Sequence, residues 1–372
     1  MLNILFFIHS LSSGGAERVT TTLANHWASK GWAVTVVTVA GENQDFYNLD
    51  ERIRRIALNM AVNSRTPLHA ILNNLRRVWA LRHVLRQQQP DVAVAMMTTA
   101  NATLAMAGRW AGVVTIGSER TYPPAMPLGR LWETIRRRTY RWLDCLVAQT
   151  EESARWLFVH ACSRRVAVIS NPLSFPLVSQ PPTLDPQQTK STLNSQNLLL
   201  AVGRLGEEKR FDRLLTAFAT LIDRHSNWGL VILGQGPLRE TLLQQVVDLE
   251  LTEKVVLPGA VGNVGDWFSA ADLYVLTSHF EGFPNTLVEA LAHGLPSVAV
   301  NCKTGPSEIL RHEIDGILVP QDDPTALVSA LDLLMRDSAL RERFSERAIE
   351  ARERFAVKRI ADQWEELFRE LV

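Results

Sequence analysis

At 372 residues, with 46% hydrophobic and 21% charged side chains, the chain is long enough for two cores and globular in composition, which excludes collagen-like, coiled-coil and disordered architectures. Its 39 basic and 39 acidic residues cancel to a formal net charge of zero. Three cysteines, Cys145, Cys162 and Cys302, without C-x-x-C spacing argue against a zinc cage or a disulfide framework and fit a reducing compartment.

The first residues, Met1 to Ile8, lack a basic n-region and read as a buried strand. No apolar run approaches the roughly 18 residues needed to cross a bilayer. Further short apolar runs follow at 33–39, 92–95, 113–117, 146–148 and 166–169, each separated from the next by a helical pattern. Residues 172–197 contain Pro172, Pro176, Pro181, Pro182 and Pro186 among serine, glutamine and threonine, without periodicity, and are predicted to be a linker. A second series of runs occupies 198–202, 229–233, 255–257, 273–276, 297–300 and 317–319.

Apolar strands alternating with helices predict parallel sheets covered on both faces. The expected fold is therefore α/β, with two Rossmann-like doubly wound domains, 1–171 and 198–354, facing each other across a cleft. Ligands of such sheets bind beyond the carboxyl ends of the strands. The stretch 355–372 places Ile360, Trp364, Leu367, Phe368 and Leu371 at helical spacing and is predicted to be a terminal helix with a packing stripe.

The zero net charge hides an asymmetry. Up to Phe175 there are 20 basic and 11 acidic residues, a net +9, which leaves 19 and 28, a net −9, for the remainder. An anionic surface or substrate is the expected partner of the first half. Its basic residues are densest at Arg130, Arg136, Arg137, Arg138 and Arg141, interleaved with Leu128, Leu131, Trp132, Ile135, Tyr140, Trp142 and Leu143. That pattern fits an interfacial helix leaning on anionic lipid, and equally a solvated helix packing its apolar stripe on its own core. No nucleic-acid recognition module is present.

Four segments carry candidate chemistry. Gly14-Gly15 lies between the first strand and a helix, where missing Cβ atoms and free helix N–H groups suit an anion, or merely permit a tight turn. Gly203-Arg204 and Lys209 follow the strand 198–202, and two cations there could clamp a diphosphate. Gly234 and Gly236 follow the strand 229–233 in a small-residue turn before Pro237. Glu281 and Glu289 flank Gly282-Phe283-Pro284, and Pro284 at a helix start would direct the N–H groups of Asn285, Thr286 and Leu287 towards a ligand. Gly305-Pro306-Ser307-Glu308 could cap another helix.

These segments, in this order across nearly the whole chain, resemble the retaining family-4 glycosyltransferases of the GT-B fold, of the bacterial surface-polysaccharide and lipid-linked oligosaccharide assembly type. The resemblance implies that Arg204 and Lys209 hold the diphosphate of a UDP-sugar and neutralise the leaving group. It also implies that Glu281 binds donor-sugar hydroxyls and that Glu289 accepts from the ribose. Gly14, Gly15, Gly203, Gly234, Gly236, Asn285, Thr286 and Leu287 would line the substrate. So would Glu119 and Arg120, although several relatives have histidine where Arg120 stands, and no catalytic base is assigned. The terminal helix would cross back to the first domain.

No metal and no cofactor are expected. The implied activity is transfer of a hexose or N-acetylhexosamine, with retention, to a lipid-linked oligosaccharide, O-antigen or lipopolysaccharide acceptor. The implied place is the cytoplasmic face of the inner membrane, with the acceptor and the anionic membrane surface on the basic first domain. Three other readings are open: a sugar-nucleotide epimerase, a phosphorylase-like enzyme and a non-catalytic nucleotide-sugar binding module.

Overall fold

The computed structural model describes all residues except 63–65, 128, 162 and 164, so Leu128 and Cys162 lie outside the described residues. The chain divides into two compact units, Met1–Pro172 with Val357–Val372, and Leu173–Ala356.

In the first unit β1 (Asn3–Ile8), α1 (Gly15–Ser29), β2 (Ala33–Thr38) and β3 (Arg54–Ala57) are followed by α2 (Pro67–Gln88), β4 (Val92–Met96) and α3 (Thr98–Gly108). Then come β5 (Val114–Ser118), α4 (Arg130–Thr139), β6 (Cys145–Ala148), α5 (Glu151–His160) and β7 (Val166–Val168). All seven strands run parallel in the order β3-β2-β1-β4-β5-β6-β7. The side chains of β1 explain the two-sided cover: Ile4, Phe6 and Ile8 enter one core, Leu5 and Phe7 the other.

The second unit begins with α6 (Pro186–Thr192), β8 (Asn197–Val202), α7 (Phe211–Ala219), β9 (Trp228–Leu233), α8 (Arg239–Asp248), β10 (Val255–Gly259) and α9 (Val264–Ala270). It continues with β11 (Leu273–Leu276), α10 (Asn285–Ala292), β12 (Ser297–Asn301), α11 (Pro306–Ile309), β13 (Gly316–Pro320), α12 (Pro324–Arg336), α13 (Ser338–Ala348) and α14 (Ala351–Arg354). Its six parallel strands are ordered β10-β9-β8-β11-β12-β13. Both sheets therefore reverse direction of growth once, at β1|β4 and at β8|β11. A reversal parts the connecting loops on either side and leaves a crevice at the carboxyl ends of those two strands.

Three expectations need correction. The strand β3 was not expected, because Arg54 and Arg55 break its apolar character; as an edge strand it pairs only with β2 and needs no apolar face on both sides. Residues 173–197 are not a free linker. They belong to the second unit, include α6 capped by the Asp185 side chain, and bond to it through Gln180 N–H to Gly262 O at 3.2 Å and Gly262 N–H to Pro182 O at 2.7 Å. Proline-rich sequence here is an ordered strap that supplies its own turns. Phe355 likewise stays in the second unit, packed edge-on to Phe283, and the terminal helix α15 (Val357–Leu371) begins two residues later.

The helix α15 completes the first unit's core. Ile360, Trp364, Leu367 and Phe368 join Phe6 and Trp27, with Phe368 fully buried at 5.4 Å from the Trp27 ring. The buried Glu365 is paid for by two donors, Trp27 Nε1 at 3.1 Å and Lys30 Nζ at 2.6 Å. Truncating a buried aromatic leaves a cavity costing about 3 to 5 kcal/mol, so Phe368→Ala should lower the urea midpoint of the first unit's unfolding by the corresponding amount. An unchanged midpoint would show that α15 is dispensable to that core.

Candidate active site

The carboxyl ends of β8 and β11, the strands at the reversal, carry Gly203 to Lys209 and Thr277 to Glu281. Lys209 ends a single 3-10 turn, Glu207–Lys209, and its side chain crosses Gly203, where an added Cβ would meet Lys209 Cε at 3.1 Å. Glycine at 203 is thus the residue that lets the lysine stem lie flat on the strand end. Lys209 Nζ donates to Glu281 Oε1 at 2.6 Å, with the two side chains 16% and 11% exposed. The same oxygen accepts from Ser278 Oγ at 2.6 Å, while Thr277 Oγ1 donates to Lys209 O at 2.8 Å and Thr304 Oγ1 to the Glu281 carbonyl. A cation and a carboxylate are fixed here at strand ends by short side-chain bonds.

Arg204 is placed differently. Its guanidinium is 69% exposed and its Nε donates to Glu208 at 3.0 Å. An exposed pair of this kind is worth only about 0 to 1 kcal/mol, so a bound anion can draw Arg204 away at little cost. Of the two cations expected to clamp a diphosphate, Lys209 is anchored to a partly buried carboxylate and Arg204 is held by a surface pair.

Backbone contacts fix the neighbouring loop. Gly234 has φ +143°, and a Cβ there would fall 1.9 Å from the Gly203 carbonyl oxygen; one at Gly236 would fall 2.4 Å from the Leu205 carbonyl oxygen. Leu205 N–H to Gln235 O at 2.9 Å and Leu238 N–H to Leu205 O at 3.0 Å tie the two turns together. Only residues without a side chain allow this approach.

At the start of α10, Pro284 occupies the cap and its carbonyl accepts from Leu287 N–H at 3.0 Å, so the Leu287 amide is committed to the helix rather than offered to a ligand. Thr286 Oγ1 accepts from the Tyr274 hydroxyl at 2.8 Å. Glu289 is 4% exposed, inside the helix. Burial, chiefly, and the charges of Glu281 and Glu289 hold the Tyr274 hydroxyl far above its usual range, so both carboxylates bear on one buried phenol. Burial and Glu281 also push the Cys302 thiol up to about 12, which keeps it protonated. Ser278 and Thr304, in the loops after β11 and β12, and Tyr274, inside β11, carry no sequence signal, being residues of ordinary type.

In the first unit Gly14 caps α1, and the space where its Cβ would stand is taken by the Glu17 carboxylate, 2.0 Å from that position. The helix end expected to receive an anion is covered by the chain's own acid, whose pKa burial raises. Glu119, just past β5, is 1% exposed; it accepts from Thr98 Oγ1 at 2.7 Å and from the Tyr140 hydroxyl at 2.6 Å. Arg120, 7% exposed, donates to Asn171 Oδ1, which also accepts from Gln149 at 2.7 Å. Burial lowers the Arg120 pKa to about 9, so it remains cationic at neutral pH.

The basic run on α4 also resolves. Arg136 is buried, paired with Glu133 and stacked 4.7 Å over Trp156, and Tyr140 is fully buried. Its arginine cluster is thus partly core, while Arg137, Arg138 and Arg141 are exposed. Among the described residues no three His, Cys, Asp or Glu side chains converge as a metal site. A cavity of about 550 Å³ between α7 and α12 borders Thr277 and Ser278, but its three arginines are already paired, Arg210 with Asp212 at 3.0 Å, Arg213 with Asp322 at 3.9 Å and Arg224 with Asp332 at 3.3 Å.

Two family models cover the chain in sequence: "Glycosyl transferase 4-like domain" over residues 14–172 and "Glycosyl transferases group 1" over residues 185–351. The chain belongs to these glycosyl transferases. It is 29% identical, over 100% of its own length and 99% of the relative's, to the Campylobacter jejuni GalNAc-alpha-(1->4)-GalNAc-alpha-(1->3)-diNAcBac-PP-undecaprenol alpha-1,4-N-acetyl-D-galactosaminyltransferase. It is 30% identical to an exopolysaccharide phosphotransferase of Streptomyces coelicolor, matching over 96% of the chain but spanning only 40% of that larger relative. The structure of Anabaena HepE in complex with UDP shares the fold, with a TM-score of 0.80, 20% identity and complete coverage of both chains. The two Rossmann-like parallel-sheet domains are those of GT-B glycosyltransferases.

Burial is the largest influence on Glu119 and raises its pKa, so the folded state holds its proton at pH values where the unfolded chain has lost it. Stability from this group is full below the ordinary carboxyl pKa and is lost as pH rises from there through the raised one. Urea midpoints of wild type and Glu119→Gln should therefore diverge as pH rises above the ordinary carboxyl range, with wild type losing stability relative to the variant. A constant difference would mean that Glu119 titrates normally.

Proposed function

We propose that the chain is a retaining glycosyltransferase that moves a hexose or N-acetylhexosamine from a UDP-sugar to a lipid-linked saccharide in bacterial surface-polysaccharide, O-antigen or lipopolysaccharide assembly. The observation that carries this reading is the Lys209–Glu281 pair at the reversal of the second sheet, beside the glycine turns at 203, 234 and 236. The undecaprenol-linked substrate in the name of the Campylobacter relative supports a lipid-linked acceptor, and the UDP in the Anabaena structure supports a uridine donor.

In this mechanism the donor diphosphate lies over the strand ends of the second unit. Lys209 supplies a fixed positive charge, and Arg204 leaves Glu208 to complete the clamp. Together they stabilise the charge that develops on the leaving diphosphate, the role that electrostatic preorganisation fills most effectively. Glu281, held by Lys209 and Ser278, presents its remaining lone pairs to donor-sugar hydroxyls. Glu289 serves the ribose. The departing phosphate oxygen takes the acceptor proton on the same face of the sugar, which yields retention without a separate base. Side-chain cations, one anchored and one releasable, perform the charge neutralisation, and in this reading no metal takes part. The first unit binds the acceptor, and the protein works peripherally at the inner face of the cytoplasmic membrane; no described helix is long and apolar enough to cross one.

Arg204→Ala and Glu281→Ala should each reduce turnover by about a hundredfold or more while leaving the thermal transition in place. Release of UDP with donor and lipid acceptor, with the product's anomeric configuration read by NMR, measures both claims. Wild-type rates in both variants would remove the site assignment, and an inverted product would remove the mechanism.

A further inference from the structure

The helix α2 has two apolar faces. Leu81, Val84 and Leu85 are buried against the first sheet, as an amphipathic helix requires. Yet Ile71, Leu72, Leu75 and Trp79 are 57%, 43%, 49% and 65% exposed. At about 100° per residue these four fall within a single arc of roughly 100°, Arg82 and Arg86 continue the same arc towards the C-terminal end, and the exposed Arg76 stands at its flank. The whole helix contains no aspartate or glutamate.

A neighbouring element extends this surface. Arg82 lies 5.8 Å from the Trp79 ring and donates to the carbonyls of Met106 at 2.7 Å and Ala107 at 3.0 Å, which ties α2 to the end of α3. There Arg109 stacks 4.1 Å over Trp110, itself 82% exposed. Exposed tryptophans beside arginines, with no acid on the helix, complement an anionic, partly apolar layer. Among the described residues of this unit Phe46, Val62, Met126 and Leu131 are exposed singly, while the exposed pair Phe158 and Val159 sits on α5, whose first turn carries Glu151 and Glu152 and would repel such a layer.

We propose that the outer face of α2, with the Trp110 corner, is the surface by which this chain lies on an anionic phospholipid layer: Leu75 and Trp79 enter the headgroup boundary and Arg76 and Arg86 meet phosphate. It is α2, rather than the arginine-rich α4 with its buried Arg136, that meets the membrane. The biological sense of this contact rests on the reading of a lipid-borne acceptor, while its test needs neither donor nor acceptor.

The test is co-sedimentation with phosphatidylcholine vesicles, with and without about 30 mol% phosphatidylglycerol, for wild type, Leu75→Ser/Trp79→Ser, Arg76→Gln/Arg86→Gln and the control Phe158→Ser/Val159→Ser. Thermal unfolding and UDP binding are measured on each. Wild type and control should bind the anionic vesicles. The apolar variant should lose roughly tenfold or more in affinity at every salt concentration, and the arginine variant should lose comparably at low salt but little at high salt. UDP binding should be unchanged, so a failure of the donor reading would show separately. Wild-type sedimentation by both α2 variants would overturn the proposal. So would a wild type indifferent to anionic vesicles, or an apolar variant that changes only the oligomeric state, which would assign the face to a second copy of the chain.

Discussion

A lysine and a glutamate 2.6 Å apart, on loops that leave adjacent parallel strands, are the constraint on which the candidate site depends. Partly buried charges cost desolvation free energy that only close pairing and further hydrogen bonds offset, and removing one partner strands the other. Ser278, Thr277 and Thr304 supply those further bonds. The pair is possible because β8 and β11 are neighbours at the sheet's reversal, although Lys209 and Glu281 lie 72 positions apart in sequence. Topology brings Lys209 to Glu281, and glycine at 203 lets its side chain reach across.

Within the second unit the two cations contrast. Lys209 is anchored before any ligand arrives, whereas Arg204 is held only by a surface pair with Glu208. An anchored charge is preorganised and lowers the reorganisation needed at the moment of reaction; a releasable one can close on a ligand and open again. The proposed clamp uses both properties. The first unit handles charge in the opposite way. Glu119 is enclosed by Thr98 and Tyr140 with its pKa raised by burial, and Glu17 folds over Gly14, so the polar atoms expected to touch substrate there are largely committed to one another.

Sequence patterning revealed the sheets because strands buried on both faces must be apolar throughout, and every run read as a strand is one within a residue or two. It did not reveal β3, whose edge position tolerates Arg54 and Arg55, nor the packed strap before β8, where proline-rich composition imitates a linker. At the site, glycines and charged residues at strand ends were legible as candidates. Their partnerships were not: nothing in the spacing of Lys209 and Glu281 states that they meet, and Ser278 and Thr304 are residues of common type. The outer face of α2 is not legible in the sequence for a related reason. A 22-residue helix with apolar residues on two sides has no single period, and only burial separates the stripe that packs from the stripe that does not.

Amide hydrogen exchange with and without UDP tests the central claim most directly. If the diphosphate is gripped at the reversal of the second sheet, UDP should slow exchange across residues 203–210 and 281–289 in wild type, and Lys209→Ala should abolish that protection. Protection confined to the first unit, or to the cavity between α7 and α12 around Arg213 and Gln321, would contradict it.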